Sequence, residues 1–162
     1  MAGHEAGDVY VSTDIQLLKA RKFAPDITLR AAIKTASGGS FEKARYYDNP
    51  GYFFDMSVGK SLYFGKGKTF PYADATDAKV ELRFAGSAGF LCWQTDNGRQ
   101  NDAVMYGLQM LLKSEYVSLR AIWSGYAGWE KDGDRPMTIK ARIAGHFKGF
   151  EPYAEYQYGI KE

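Results

Sequence analysis

Apolar residues recur at every second position along most of this chain, the period of a strand whose two faces meet different surroundings. The alternation is clear in MTIKARIAGHF, residues 137–147. Met137, Ile139, Ala141, Ile143 and Phe147 fall on one face, and Thr138, Lys140, Arg142, Ala144 and His146 on the other. Seven further stretches repeat it: VYVSTDIQLL (9–18), DITLRAAIKTA (26–36), YFFDMSVGKSL (52–62), KVELRFAGSAGFLCW (79–93), AVMYGLQMLLK (103–113), VSLRAIWSGY (117–126) and PYAEYQYGI (152–160). In AVMYGLQMLLK, Val104, Leu108, Leu111 and Leu112 also share a helical stripe, but Gly107 and the flanking strands favour an extended segment. The pattern predicts an all-β chain, an antiparallel up-and-down β-barrel of about eight strands. No linker, charge run or low-complexity stretch divides it, so residues 1–162 are expected to form a single β-barrel domain.

The connections add a direction. KFAPD, KSEY and KGFEP are short, whereas TASGGSFEKARYYDNPG, TDNGRQND and EKDGDRP are longer; GKGKTFPYADATD alone breaks the alternation. Short turns at one end and long loops at the other are the habit of outer-membrane barrels. Because the first connection is short, both termini fall on the long-loop side, and PYAEYQYGI is followed by Lys and Glu where a complete barrel closes on an aromatic. Both features read as part of a larger barrel. DVYVSTDIQLL is expected to pair antiparallel with PYAEYQYGI, since an even number of up-and-down strands brings first and last together. The opening MAGHEAGDVYV has neither the basic nor the apolar region of a secretory signal, so export would imply a mature or trimmed form.

Alternation alone does not say which face meets water: a soluble barrel turns its apolar face inward, a membrane barrel outward. The polar face argues for the second. It mixes Gly59, Gly89, Gly107, Ala32, Ala85 and Ala144 with charges of both signs, a composition suited to a crowded lumen. The charged residues expected there are Asp14, Arg30, Lys34, Asp55, Glu81, Arg83, Arg120, Lys140, Arg142, His146 and Glu155. Enclosed charges must pair, which sets Asp14, Asp55, Glu81 and Glu155 against Arg30, Arg83, Arg120 and Arg142. The opposite face, toward lipid or a core, carries Ile27, Leu29, Val80, Leu82, Phe84, Phe90, Leu108, Ile139 and Ile143. Tyr46, Tyr47, Tyr52, Phe53, Trp93, Tyr116, Trp123, Trp129, Phe150 and Tyr153 cluster toward segment ends, as an interfacial aromatic girdle would.

Composition agrees with β-structure: 18 Gly, 12 Tyr, 10 Phe and 3 Trp stand against 5 Pro. The net charge of +2, with acids and bases interleaved, gives no basic face for nucleic acid. No apolar run is long enough for a helical span. Cys92 has no second cysteine to bond and reads as a small buried or lipid-facing residue. Two histidines and one cysteine do not make a structural zinc site, and Asp96 with Asp102 or Asp132 with Asp134 lack the spacing of a calcium loop. Gly59–Ser61 and Gly67–Thr69 echo the end of a phosphate-binding loop, but Phe54 and Leu62 stand where its first glycine belongs. No cofactor or metal is expected.

His146 is the one residue that suggests catalysis, as the base of a lipid hydrolase on a barrel wall. Lys148, Arg142 and Ala144 are its near neighbours in sequence, and none is a nucleophile. No enzymatic role is therefore expected.

The segments DITLRAAIKTASGG, ARYYDNPGYFFDMSVGKSL, GFLCWQTDNGRQNDAVMYGLQ and GDRPMTIKARI resemble outer-membrane β-barrel proteins of Bacteroidota. The resemblance implies a bacterial outer-membrane barrel and carries over no catalytic residue. The leading expectation is a membrane scaffold or small pore with a charged lumen, with membrane lipid or detergent as its partner and no nucleic acid. The alternative is a soluble lipocalin-like barrel holding an apolar ligand among Ile27, Leu29, Phe84, Phe90 and Leu108; an outer-membrane lipid hydrolase stands third.

Overall fold

A computed structural model of the protein describes residues 8–37, 49–65, 78–94, 100–128 and 135–161. Eight strands follow one another: β1 Tyr10–Leu18, β2 Asp26–Lys34, β3 Gly51–Gly65, β4 Ala78–Gln94, β5 Gln100–Ser114, β6 Val117–Gly128, β7 Met137–Gly145 and β8 Tyr153–Lys161. They form one antiparallel sheet in the order of the sequence, each strand hydrogen-bonded to its chain neighbours. The segment 103–113, where a helical stripe competes with the strand pattern, lies inside β5 and pairs residue for residue with β4 and β6.

Register carries the faces across the sheet. Asp14 stands opposite Arg30, Arg30 opposite Asp55, Asp55 opposite Gly89 and Gly89 opposite Met105, so the polar positions of five strands form one row. On the other face Ile15, Leu29, Met56, Ala88 and Tyr106 line up in the same way. A cavity of about 510 Å³ on the polar face is lined by Arg30, Asp55, Ser57, Ser87, Ser124 and Thr138 among others. In a flat sheet β2 and β7 would stand roughly 24 Å apart, five strand spacings. One cavity reaching both requires the sheet to curl with its polar face inside.

Burial follows that curl. Ala32, Leu91, Ala103 and Ala144, all on the polar side, are among the most buried residues, with Cys92 the apolar-face exception. The apolar face is the exposed one. Phe54, Met56, Val58, Phe84, Met110, Leu112, Leu119, Ile139 and Ile143 all stand open, and Leu108 is 59% exposed.

Two expectations are corrected. β1 and β8 do not pair and are the two edges of an open sheet, so the closure expected between 8–18 and 152–160 is absent. An eight-stranded barrel has room inside for little more than its own side chains. Here Phe53, Tyr63, Leu91, Trp93, Met105 and Tyr126 share the inner face with four arginines. The second correction concerns β7, which ends at Gly145. His146 and Phe147 belong to the β7–β8 connection, where Phe147 and Phe150 exchange backbone hydrogen bonds of 3.0 and 3.1 Å around Gly149. Gly149 takes φ +77°, a left-handed conformation that a side chain disfavours, and so turns the chain back.

Small residues let the long central strands approach. A Cβ at Gly89 would stand 2.7 Å from the Asp55 Cα and against the Phe54 carbonyl, whereas one at Gly159 meets nothing within 4 Å. Gly89→Val is therefore expected to destabilise the fold by about 1–3 kcal/mol, the cost of overpacking. Gly159→Ala should change stability by no more than about 0.5 kcal/mol. Denaturant titration of the two variants checks the contrast.

Candidate functional site

The inner face carries paired charges on β1–β4. Arg30 Nε donates to Asp14 Oδ1 at 2.7 Å, with both side chains about half exposed. Arg83 reaches from β4 across Gly59 to β2, where its two nitrogens meet the Asp26 oxygens at 2.7 and 2.9 Å. Gly59 is what opens this path: a Cβ there would lie 2.8 Å from Arg83 Cζ and 2.7 Å from Asp26 Oδ1. A two-pronged guanidinium–carboxylate contact fixes direction as well as charge. Asp26 is thus the partner that sequence pairing missed. Glu81, one of the carboxylates expected to pair with the inner arginines, accepts a hydrogen bond from Ser61 Oγ at 2.7 Å.

At the far end of β2, Lys34 is 5% exposed. Its ammonium is ion-paired with Asp8, donates to the Asn49 carbonyl at 2.6 Å and lies 5.4 Å from the centre of the Trp93 ring. A lysine so enclosed needs several partners, and it has them. Between these ends Thr28, Ser57, Ser87, Gly107, Ser124 and Thr138 form a cross-sheet row of hydroxyls and small residues.

The β6–β7 side differs. Arg120 faces Arg142 in register, and Arg142 faces Glu155. Arg142 nevertheless stacks its guanidinium 3.8 Å above the Tyr153 ring, and no ion pair with Glu155 forms. Lys140 also lies on this face, opposite Gln157. Of the eleven charged residues expected inside, ten share the inner face, and His146 stands beyond the strand.

The nine apolar candidates share the outer face. Phe84, Leu108, Ile139 and Ile143 are exposed, while Ile27, Leu29, Val80, Leu82 and Phe90 are half-buried. Gly86 and Ala121 leave a groove of about 580 Å³ there between Phe84, Leu108, Met110 and Trp123. Lys60 also falls on this face. Its ammonium turns to the β1–β2 connection and donates to the carbonyls of Arg21, Lys22 and Ala24. The Gly59–Ser61 triplet therefore lies in the middle of a strand, with its lysine committed to a turn. The aromatics divide. Tyr116, Phe150 and Tyr153 are exposed at the turn end, Phe53 and Trp93 belong to the inner face, and Trp123 packs mid-strand on Tyr106 at 5.2 Å. Tyr46, Tyr47 and Trp129 lie outside the described residues, as do Gly67–Thr69, Asp96, Asp132 and Asp134.

The third feature is at the rim. His146 Nε2 is 3.0 Å from Ser118 Oγ, and its Nδ1 is 3.2 Å from Glu151 Oε1. Backbone geometry sets this up: His146 N–H donates to the Tyr116 carbonyl at 2.7 Å, and Gly145 N–H to Pro152 at 2.9 Å. The first bond ties the histidine to the start of β6, and the turn at Gly149 returns Glu151 beside it. With the carboxylate at Nδ1, that nitrogen carries the proton and Nε2 is free to accept from the serine hydroxyl. The serine was invisible from His146 in sequence because it lies 28 residues upstream. Only the register, which sets Ser118 opposite Ala144, brings it close.

The Arg83–Asp26 contact should matter more than the half-exposed Arg30–Asp14 pair. Both side chains are about four-fifths covered. Asp26→Asn is expected to cost about 1–3 kcal/mol, through an arginine left short of its counter-charge. Asp14→Asn, at a half-exposed pair, should move the unfolding midpoint less, and the two midpoints in denaturant compare them directly. No family model matches this chain, and no curated protein or solved structure matches it either.

Proposed function

We propose that this chain forms part of the wall of an outer-membrane-type β-barrel, with its apolar face against lipid and its charged face lining a polar interior. The observation that carries this reading is the inverted burial. Large apolar side chains crowd the exposed face, while Ala32, Lys34, Leu91, Ala103 and Ala144 are buried on the face that carries the paired charges. In water, so continuous an apolar surface is a liability. Against hydrocarbon it is the surface required, and the strands satisfy their backbone polar groups through the ladder. Lys60 fits the same surroundings, since its ammonium has folded back onto carbonyl oxygens.

A lipocalin-like design would turn Phe84 and Leu108 toward an enclosed ligand. Their 48% and 59% exposure on the face away from the curl favours the wall over that alternative. A wall in lipid leaves no open edge, so β1 and β8 each take a strand partner in the working assembly. The role that follows is that of a scaffold or of one side of a pore.

Arginine substitution tests the orientation. Leu108→Arg and Ile143→Arg should cost about 2–4 kcal/mol of folding free energy in lipid vesicles if the sites lie near the bilayer midplane. Thr28→Arg and Gln109→Arg, which add a charge to the inner face, should be tolerated better. Equal effects at the two faces, or full solubility of the folded protein without detergent, would reject the wall.

A further inference from the structure

We infer that Ser118, His146 and Glu151 form a hydrolytic site for carboxylic esters of apolar acyl chains at the turn end of the sheet. The three groups stand in the order nucleophile, base and orienting carboxylate, at 3.0 and 3.2 Å. This is the arrangement that activates a serine hydroxyl at neutral pH. Ser118 and His146 are half-buried and reachable, while Glu151 is exposed. Lys113 stands directly opposite Ser118 across β5–β6, on the same face. It has no ion pair among the described residues, so its ammonium is available to a developing oxyanion.

The surroundings select the substrate class. Tyr116, Phe147, Phe150 and Tyr153 are all exposed, at 59–65%, and each lies within a few residues of a member of the triad. Phe147 also packs under Gly145, where a Cβ would come within 2.9 Å of its ring. Exposed aromatic residues flanking each triad member in the chain suit an ester whose acyl chain is apolar. The lysine suits the oxygen that becomes negative.

The chemistry balances with water as the only co-reactant. Ser118 Oγ bonds to the ester carbonyl carbon as its proton passes to His146 Nε2. The bond from that carbon to the alcohol oxygen then breaks, and the alcohol leaves with the proton from Nε2. Water adds to the acyl-serine by the same path, the carboxylic acid departs, and Ser118 recovers its hydrogen. Nothing is oxidised or reduced. Glu151 acts through the imidazole as a positioning residue, holding Nδ1 protonated so that Nε2 can accept.

The preference for long acyl chains rests on these exposed aromatic rings and not on the wall reading, whose lipid lies on the opposite face from Ser118, and the test is independent of insertion. The folded protein, in detergent or in buffer, is treated with a soluble fluorophosphonate probe and assayed on p-nitrophenyl butyrate and p-nitrophenyl laurate. The expected result is one phosphonyl group on Ser118 by peptide mass spectrometry, with faster turnover of the laurate. Ser118→Ala and His146→Ala should each lose about 10³-fold in kcat/KM. Glu151→Gln should lower kcat with little change in KM, and Ser124→Ala, a hydroxyl of the inner row, should keep full activity. An unlabelled Ser118 in the wild-type protein, or hydrolysis unchanged in Ser118→Ala, overturns the inference whatever the protein does in vesicles.

Discussion

The antiparallel backbone ladder is the constraint on which everything else here depends. Each strand must satisfy its peptide groups through its neighbours, and once the register is set every side chain is committed to one face or the other. Asp14, Arg30, Asp55 and Gly89 fall into a single row for that reason, and so do Ile15, Leu29, Met56 and Ala88. A slip of one residue between any two strands would carry charges onto the apolar surface and apolar residues into the polar one. The ladder thus converts a simple alternation in sequence into two chemically distinct surfaces.

Those surfaces are not filled in the usual way. Small residues on the enclosed side make room for the groups beside them. Gly59 clears the path from Arg83 to Asp26, and a side chain at Gly107 would come within 2.9 Å of the Ser87 hydroxyl. Charge is distributed unevenly. On β2–β4 the cations Arg30, Lys34 and Arg83 each hold a carboxylate, whereas on β6–β7 Arg120 and Arg142 face each other and Arg142 turns to an aromatic ring. An interior of this kind keeps its polarity without a hydrophobic core. That is why the exposed apolar side needs another apolar phase in the proposed wall.

Chemistry collects where the ladder stops. Beyond Gly145 the backbone is released from pairing with β8, and a turn through a left-handed glycine returns Glu151 to His146. The Tyr116 carbonyl, at the neighbouring turn, holds the histidine backbone, and β6 supplies the serine. Strands fix Ser118 and a short turn fixes its partners, so the proposed hydrolytic site joins a rigid element to a constrained one.

Much of this was legible from the residues. Periodicity placed all eight strands to within a few residues, because side-chain direction in a strand is a local property with period two. Partners and curvature were not legible. Arg83 takes Asp26, a carboxylate outside the expected set, because Gly59 opens a route across a strand that sequence does not mark. The absence of a β1–β8 pair and the end of β7 at Gly145 likewise depend on how segments far apart in the chain meet and on one turn's geometry. Sequence alone determined the alternation and hence the two faces. Tertiary structure decided which face is enclosed and that Ser118 meets His146, because both depend on contacts between segments far apart in the chain.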